Sequence, residues 1–255
     1  MFYQSWFVEL QQAAKARGIR IESYWLGHDG SRTRAVFRTL RNRGITGVFY
    51  APPSLTTMES TILAPEKRFQ VVTFGPEHLY PNLHTVQFDF YENLRLAWKV
   101  LLDRGHRKIG LVYSKHQAWR TGYAWRAAYH IEKLLAGGIP GQNMPLEIDV
   151  TGAHEPKEQY LEWASVGNYD AVISSIPEVA DWMNQAGRDF EIAMLNVNRP
   201  DLQGIDLNLS LMARTAVDLL TIEMQRSLQV DGGLPFRVHI PGRWVDAESS
   251  DSIYC

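Results

Sequence analysis

The feature that most constrains this chain is a continuous run, residues 89–114, that reads as a helix, a basic turn and a buried strand. Asp89 and Glu92 have the spacing of an N-cap residue and its N3 partner, so a helix is predicted to begin there. The apolar residues that follow recur at intervals of three and four, at Leu94, Ala97, Trp98, Leu101 and Leu102. Gly105 ends the helix, and residues 109–113 form a short apolar strand. The run is therefore half of a β-α-β unit.

The rest of the chain repeats this alternation of strands and helices. Further helices are predicted at residues 1–17, 31–43, 54–63, 120–135, 156–165, 178–186 and 209–228. Further strands are predicted at residues 19–26, 46–50, 69–74, 83–88, 146–150, 171–174, 192–197 and 236–245. Such alternation favours an α/β fold with parallel sheets covered by helices on both faces. Two Rossmann-like lobes and a β/α barrel both fit the pattern.

The order of the first elements is unusual for this class of fold. The first predicted element is a helix, whereas a Rossmann-like lobe normally begins with its central strand. We therefore expect that a strand preceding this helix is missing from the sequence.

Composition excludes several classes of protein. The 255 residues carry a formal net charge of −2, which gives no general support for binding to nucleic acid or to a membrane surface. Cys255 is the single cysteine, so a disulfide framework is excluded and a reducing, cytoplasmic location is expected. No apolar run approaches the roughly 20 residues that a membrane-spanning helix needs, and no secretory signal is visible.

Motifs for catalysis or for cofactor binding are absent from the sequence. It contains no G-x-S-x-G, no P-loop and no G-x-G-x-x-G. The eight histidines show no metal-ligand spacing, and one terminal cysteine makes a structural zinc site improbable. We therefore expect a protein that is not an enzyme, with no cofactor and no metal.

Two groups of side chains are candidates for binding. Basic residues surround the second predicted helix, at Arg32, Arg34, Arg38, Arg41 and Arg43, and a solvated helix face explains them better than a nucleic-acid surface. The second half of the chain contains many aromatic residues, most of which we expect in the core. Trp119 is the exception, since it lies in a predicted loop beside Arg120.

A third candidate is the segment 196–199, Asn-Val-Asn-Arg, at the carboxyl end of a predicted strand. Ligands of open parallel sheets bind at that end of the strands. The same residue types also form turns, so both interpretations stay open.

The run D-x(14)-R-G-H-R-K-I-G-L-V at residues 89–112 resembles the effector-binding core of the lactose-repressor (LacI) family of bacterial transcription regulators. Other segments resemble parts of that core in the same order, at residues 10–18, 44–48, 69–72, 124–129, 211–220 and 248–250. The resemblance covers nearly the whole chain. The DNA-binding headpiece, the hinge and the first core strand of the family have no counterpart in it.

The resemblance implies a type I periplasmic-binding-protein-like fold of two interleaved lobes. The first lobe would comprise residues 1–113 plus 208–229, and the second would comprise residues 114–207 plus 230–255. The crossovers would lie near Ser114, Asn208 and Val230. The first helix, with Phe2, Trp6 and Phe7, would be a dimer surface.

The resemblance also implies a function. The chain would be the effector-binding and dimerisation part of a regulator, a homodimer that reaches operator DNA only through a headpiece outside this sequence. A sugar or another small polar ligand would bind between the lobes. The residues expected to contact it are Arg120, Asn198, Trp119, Asp89, Tyr50, Pro52, Glu178 and Asp206.

Two departures from the family pattern affect the ligand contacts. The spacing that gives the family its effector-binding arginine falls on Thr121, one residue after Arg120. A position that is usually aspartate is Asn198. The alternative function is a periplasmic-type sugar-binding protein of a transporter, and an enzyme would require a catalytic set that the sequence does not show.

Overall fold

The computed structural model describes residues 2–27, 31–51, 68–75, 82–139, 141–149, 156–185, 190–226 and 234–248. The helices are α1 (Phe2–Lys15), α2 (Thr33–Asn42), α3 (Phe90–Asp103), α4 (Lys115–Arg120), α5 (Ala124–Leu135), α6 (Pro156–Gly167), α7 (Glu178–Gln185) and α8 (Leu209–Arg226). The strands are β1 (Gly47–Tyr50), β2 (Gln70–Phe74), β3 (His84–Phe88), β4 (Ile109–Ser114), β5 (Leu146–Ile148), β6 (Ala171–Ser174), β7 (Glu191–Met194), β8 (Gly204–Asp206), β9 (Arg237–Ile240) and β10 (Arg243–Val245).

The chain forms two compact units. The first unit is Met1–Phe88 with Asn208–Ile240, and the second is Asp89–Leu207 with Pro241–Cys255. Each unit contains one sheet with helices packed on it, so the predicted α/β class with two parallel-sheet lobes is confirmed.

The first unit has a parallel sheet in the order β1-β2-β3-β9. Val48 and Val71 point to one face and pack in a cluster with α2, where the Phe37 ring lies 5.2 Å from the Phe69 ring. Phe74 points to the other face, where the Trp6 ring of α1 lies 4.1 Å from it. Both faces are therefore apolar, as in a sheet buried between helices.

Trp6 lies in the core of this unit and is 7% exposed. Our prediction that Trp6 belongs to a dimer surface is therefore wrong, because its ring packs edge-on against Phe74. Phe7 is half-buried, and the side chain of Phe2 lies outside the described residues.

The second unit has a sheet in the order β10-β8-β7-β6-β4-β5, parallel except for β10. On one face, Val112 packs in a cluster with residues of α6 and α7. On the other face α3 packs against α5, and the rings of Trp98 and Tyr129 meet edge to face at 5.6 Å. All six residues of β4 are buried between these layers.

The run at residues 89–114 has the predicted structure. Asp89 is the N-cap of α3, and its Oδ1 accepts the Glu92 N–H at 3.0 Å. The basic turn is held by Asp170, the residue directly before β6. Its carboxylate accepts hydrogen bonds from the backbone N–H groups of Arg107 and Lys108 at 2.9 and 3.0 Å. This turn lies at the amino end of β4, opposite the end at Ser114.

Three predicted elements differ from the structure. Residues 19–26, all of them described, form no strand. The predicted helix 120–135 is two helices, because Tyr123 adopts a left-handed conformation with φ 60°. The predicted strand 236–245 is two strands in different units, since Pro241 lacks the N–H that would continue a ladder. The predicted helix at 54–63 lies outside the described residues.

The division into units also differs from the lobe boundaries that we predicted. The strand β4 pairs with β5 and β6, so residues 89–113 belong to the second unit rather than to the first. The strand β9 pairs with β3, which places residues 237–240 in the first unit. Strand pairing, which local sequence does not encode, decides both differences.

Gly110 tests the packing of β4. A β carbon on Gly110 would lie 2.5 Å from Cη2 of Trp163, whose ring stacks on Tyr169 at 4.3 Å. We expect Gly110→Ala to lower the free energy of unfolding by about 1–3 kcal/mol through overpacking. Urea titrations measure the loss.

The control is the same substitution in a Trp163→Leu background, where the smaller side chain relieves the clash. The loss caused by Gly110→Ala should be clearly smaller there. An equal loss in both backgrounds would show that the indole ring is not the cause.

Candidate ligand site at the carboxyl edge of the second sheet

The carboxyl ends of β4, β6 and β7 lie side by side, because these strands are parallel neighbours in one sheet. They end at Ser114, Ser174 and Met194. Polar residues follow each of these strand ends, and ligands of open α/β sheets bind at this edge. The edge is therefore the candidate site of the second unit.

A chain of hydrogen bonds joins β4, β6 and α4 at this edge. The Ser175 hydroxyl donates to Oε1 of Gln117 at 2.5 Å, and it accepts the backbone N–H of Ser114 at 3.4 Å. The Ser114 hydroxyl in turn caps α4 by accepting the Gln117 N–H at 3.2 Å. The start of α4 is therefore fixed to two strand ends.

The helix α4 carries two of the predicted ligand contacts, Trp119 and Arg120, and both are half-buried. From the sequence, we predicted a loop at Trp119 and a longer helix that begins at Arg120. The structure instead holds both residues in a short helix with a capped start. Both residues therefore belong to a helix whose start is held at the strand ends.

The charge of Arg120 acts on a neighbouring histidine. Partial burial lowers the pKa of His116 below its ordinary value, and the positive charge of Arg120 lowers it further. Buried at the end of β4, Tyr113 has a pKa raised to about 12 by desolvation and by the nearby Glu147 carboxylate, so its phenol is neutral. Arg120 thus places a positive charge close to His116 at this edge.

The loop after β7 contains the third predicted contact. Asn198 is exposed, and Asn196 is half-buried. Arg199 fixes the loop, since its guanidinium binds the Asp181 carboxylate at 3.0 and 3.2 Å and the Asp201 carboxylate at 2.6 Å. The hydrogen bonds that Arg199 donates to these two carboxylates raise its pKa. Arg199 is therefore a structural residue that holds the loop on α7.

The remaining predicted contacts of this unit occupy different positions. Glu178 is exposed in the first turn of α7, directly after β6. Asp206 ends β8, and its carboxylate binds the Arg243 guanidinium at 2.8 Å across the β8–β10 pair. Asp89 caps α3. The Asp206 carboxylate is therefore held in an ion pair, and the Asp89 carboxylate in a helix cap.

Two predicted contacts belong to the first unit. Tyr50 is 3% exposed, and its ring packs against Phe37 in the core. Its side chain is therefore part of the packing of β1 against α2. Pro52 lies outside the described residues.

Sequence reasoning missed the residues that organise this edge: Ser114, Gln117, Ser175, Asp181 and Asp201. The available signal was a pair of serines at 174–175 directly after an apolar run, which is typical of a strand that ends at a polar edge. Nothing in the sequence joins Ser175 to Gln117, because the two residues are 58 positions apart.

Two further properties concern the described residues only. They contain no group of three or more histidine, cysteine, aspartate or glutamate side chains placed to hold a metal ion. None of the helices among them has both the length and the apolar character needed to cross a membrane.

No protein-family model matches the sequence. A search of curated proteins also finds no match.

Solved structures do resemble the chain. A periplasmic binding protein/LacI transcriptional regulator from Alkaliphilus metalliredigens, complexed with D-xylulofuranose, is 16% identical with a TM-score of 0.64, covering 97% of this chain and 94% of its own. The transcriptional regulator CelR in complex with cellobiose is 17% identical with a TM-score of 0.69, covering 98% and 79%. A LacI family regulator from Enterococcus faecium with bound ribose is 15% identical with a TM-score of 0.64, covering 96% and 92%.

These similarities define the fold of the chain. It has the type I periplasmic-binding-protein-like fold that is found in LacI-type transcription regulators, as the resemblance predicted. At this level of identity the likeness concerns the fold.

The electrostatic contact on α4 gives a prediction. Arg120→Gln should raise the pKa of His116, but not to its ordinary value, because burial is the larger cause. Two-dimensional NMR titration of the histidine ring protons measures the shift.

Arg126→Gln is the matched control on α5. Arg126 lowers the pKa of His130 rather than that of His116, so the control should raise only the former. A shift of His116 in both variants would contradict the assignment of the contact to Arg120.

Proposed function

We propose that the chain is the effector-binding part of a LacI-type transcription regulator and that it binds a sugar or sugar derivative at the carboxyl edge of its second sheet. The observation that supports the proposal is α4, which carries Trp119 and Arg120 and whose start is bonded to the ends of β4 and β6. Proteins of the same fold are complexed with xylulofuranose, cellobiose and ribose.

The chemistry of the edge suits a polyhydroxylated ligand. An indole face stacks on the apolar face of a sugar ring, and a guanidinium donates several hydrogen bonds to hydroxyl or carboxylate oxygens. Asn198 is exposed at the neighbouring strand end and can both donate and accept. Trp119 would stack, Arg120 would donate, and Asn198 would fix the orientation of the ligand hydroxyls.

The start of α7 adds a second polar side to the edge. Glu178 lies in its first turn and is exposed, so its carboxylate can accept from ligand hydroxyls. Asp206 holds Arg243, and we therefore assign it to the support of β10 rather than to ligand contact. The proposal is for reversible binding, with no chemical step.

Regulation requires two further partners. We propose a homodimer whose effector alters the binding of operator DNA by a headpiece outside the given sequence, as the resemblance implies. The alternative is a transport-type sugar-binding protein of the same fold. Operator binding that responds to the sugar in the full-length protein supports the first, and sugar binding with no DNA response supports the second.

Ligand binding is tested by calorimetry with pentoses, hexoses, disaccharides and sugar acids. For a sugar that binds, Arg120→Ala should weaken affinity about 10- to 100-fold, since a charged hydrogen bond contributes about 1.5–3 kcal/mol. Trp119→Ala should weaken it through the loss of stacking. Thermal melts of each variant confirm that the fold is retained.

Matched controls come from exposed residues of the first unit. Trp25 is 58% exposed, and Arg34 lies on the exposed side of α2. Trp25→Ala and Arg34→Ala should leave sugar affinity unchanged. The site would be refuted if sugar binding were unchanged in both Trp119→Ala and Arg120→Ala, or if no sugar of the panel bound to the protein.

A further inference from the structure

Gln117 on α4 carries a hydrogen-bonding group that the fold does not use. Its side-chain Oε1 accepts the Ser175 hydroxyl at 2.5 Å, a length typical of an O–H···O hydrogen bond rather than of a bond to an amide nitrogen. Ser175 therefore fixes which end of the amide faces it. Among the described residues, no group accepts a hydrogen bond from Nε2 of Gln117, and the residue is half-buried. Its two N–H groups are available to a ligand at the strand ends.

The Gln117 amide is the last member of a chain of donors. The Ser114 N–H donates to Oγ of Ser175 at 3.4 Å, and Ser175 in turn donates to Oε1 of Gln117. Ser175 is only 8% exposed, so both of these hydrogen bonds lie away from solvent. Successive hydrogen bonds that run in one direction polarise one another. The chain therefore strengthens the final donor, which is the N–H pair of Gln117.

Arg120 adds further donors beside Gln117. The two residues are three positions apart on α4, so they are neighbours on the surface of the helix. Partial burial lowers the pKa of His116, and the positive charge of Arg120 lowers it further, which places that charge close to the preceding turn of α4. An amide N–H pair and a guanidinium donate hydrogen bonds and accept none. This part of the edge is therefore rich in donors.

The charge of the surrounding segment has the same sign as Arg120. Residues 113–131 include Lys115, Arg120 and Arg126 and contain no aspartate or glutamate. The nearby Glu147 carboxylate on β5 is engaged, because it accepts a hydrogen bond from the Tyr113 hydroxyl. A positively charged surface of this kind attracts anions.

We propose that the ligand of this edge is an anionic sugar derivative, a sugar acid or a sugar phosphate, whose anionic group accepts hydrogen bonds from Gln117 and Arg120. This inference rests on the proposed function and narrows the class of its ligand. A sugar hydroxyl donates as well as accepts, and its proton would find no acceptor against a surface of N–H groups. An anionic oxygen only accepts, and its hydrogen bonds are about twice as strong as neutral ones.

Glu178 determines the orientation of such a ligand. Its carboxylate is exposed in the first turn of α7, directly after β6. A negative charge there repels the anionic group of the ligand and accepts hydrogen bonds from its hydroxyls. The anionic group therefore belongs beside α4, and the hydroxyls belong beside α7.

The test compares anionic sugars with their neutral parents by calorimetry. The pairs are glucuronate and glucose 6-phosphate against glucose, galacturonate against galactose, and ribose 5-phosphate against ribose. We expect at least one anion to bind about tenfold or more tightly than its parent, as the stronger charged hydrogen bonds require. The acid and phosphate members show which anionic group the edge accepts. Neutral sugars that bind as tightly as their anions in every pair would overturn the proposal.

Gln117→Glu tests the role of the amide. The new side chain keeps an oxygen that accepts the Ser175 hydroxyl, but it places a negative oxygen where the N–H pair was. Affinity for the anionic sugar should fall about 100-fold or more, and affinity for the neutral parent should fall much less. Gln142→Glu is the matched control, because it makes the same change of charge at an exposed residue ahead of β5 and should alter neither affinity.

Ser175→Ala separates the orientation of the amide from its presence. It should weaken binding of the anion by about threefold or more in the original protein and have no further effect in a Gln117→Ala background. Anion affinity that is unchanged in both Gln117→Glu and Ser175→Ala would overturn the proposal. If neutral sugars bind and depend on Trp119 and Arg120 while anions gain nothing, the proposed function stands and only this inference fails. If no sugar binds, both fail.

Discussion

The burial of β4 is the constraint on which the second unit depends. All six of its residues are buried, and it pairs with β5 and β6 on its two sides. Gly110 leaves the space that the Trp163 ring occupies, and Val112 packs in the same cluster. A strand buried in this way needs helices on both faces, which explains why α3 and α5 cover one face while α6 and α7 cover the other.

The two ends of β4 have different structural roles. At its amino end, the Asp170 carboxylate holds the backbone of Arg107 and Lys108, which makes the basic turn part of the scaffold. At its carboxyl end, Ser114 caps α4 and joins the strand to Ser175. The run that resembles a known family most closely therefore supports the fold, and α4, with the candidate contacts Trp119 and Arg120, follows directly after it.

The sequence predicts the helices and strands better than it predicts the residues of the candidate site. The periodicity of α3 and its Asp89 cap were predictable because both are local. The ends of α4 and α5 were not, since they depend on the left-handed Tyr123. For the site, Trp119 and Arg120 are candidates by residue type alone, while the ion pair that fixes the Arg199 loop joins Asp181 to a residue 18 positions away. Contacts of this kind leave no periodic signal.

The sequence by itself determined the alternation of strands and helices, because side-chain periodicity and helix caps act within a few residues. Only the tertiary structure decided which strands pair, and hence that residues 89–113 belong with the second sheet and residues 237–240 with the first. It also decided that residues 19–26 pair with no other strand and form none themselves. Strand pairing joins distant segments through backbone groups that every residue carries, so the identity of the partner is not written in the local sequence.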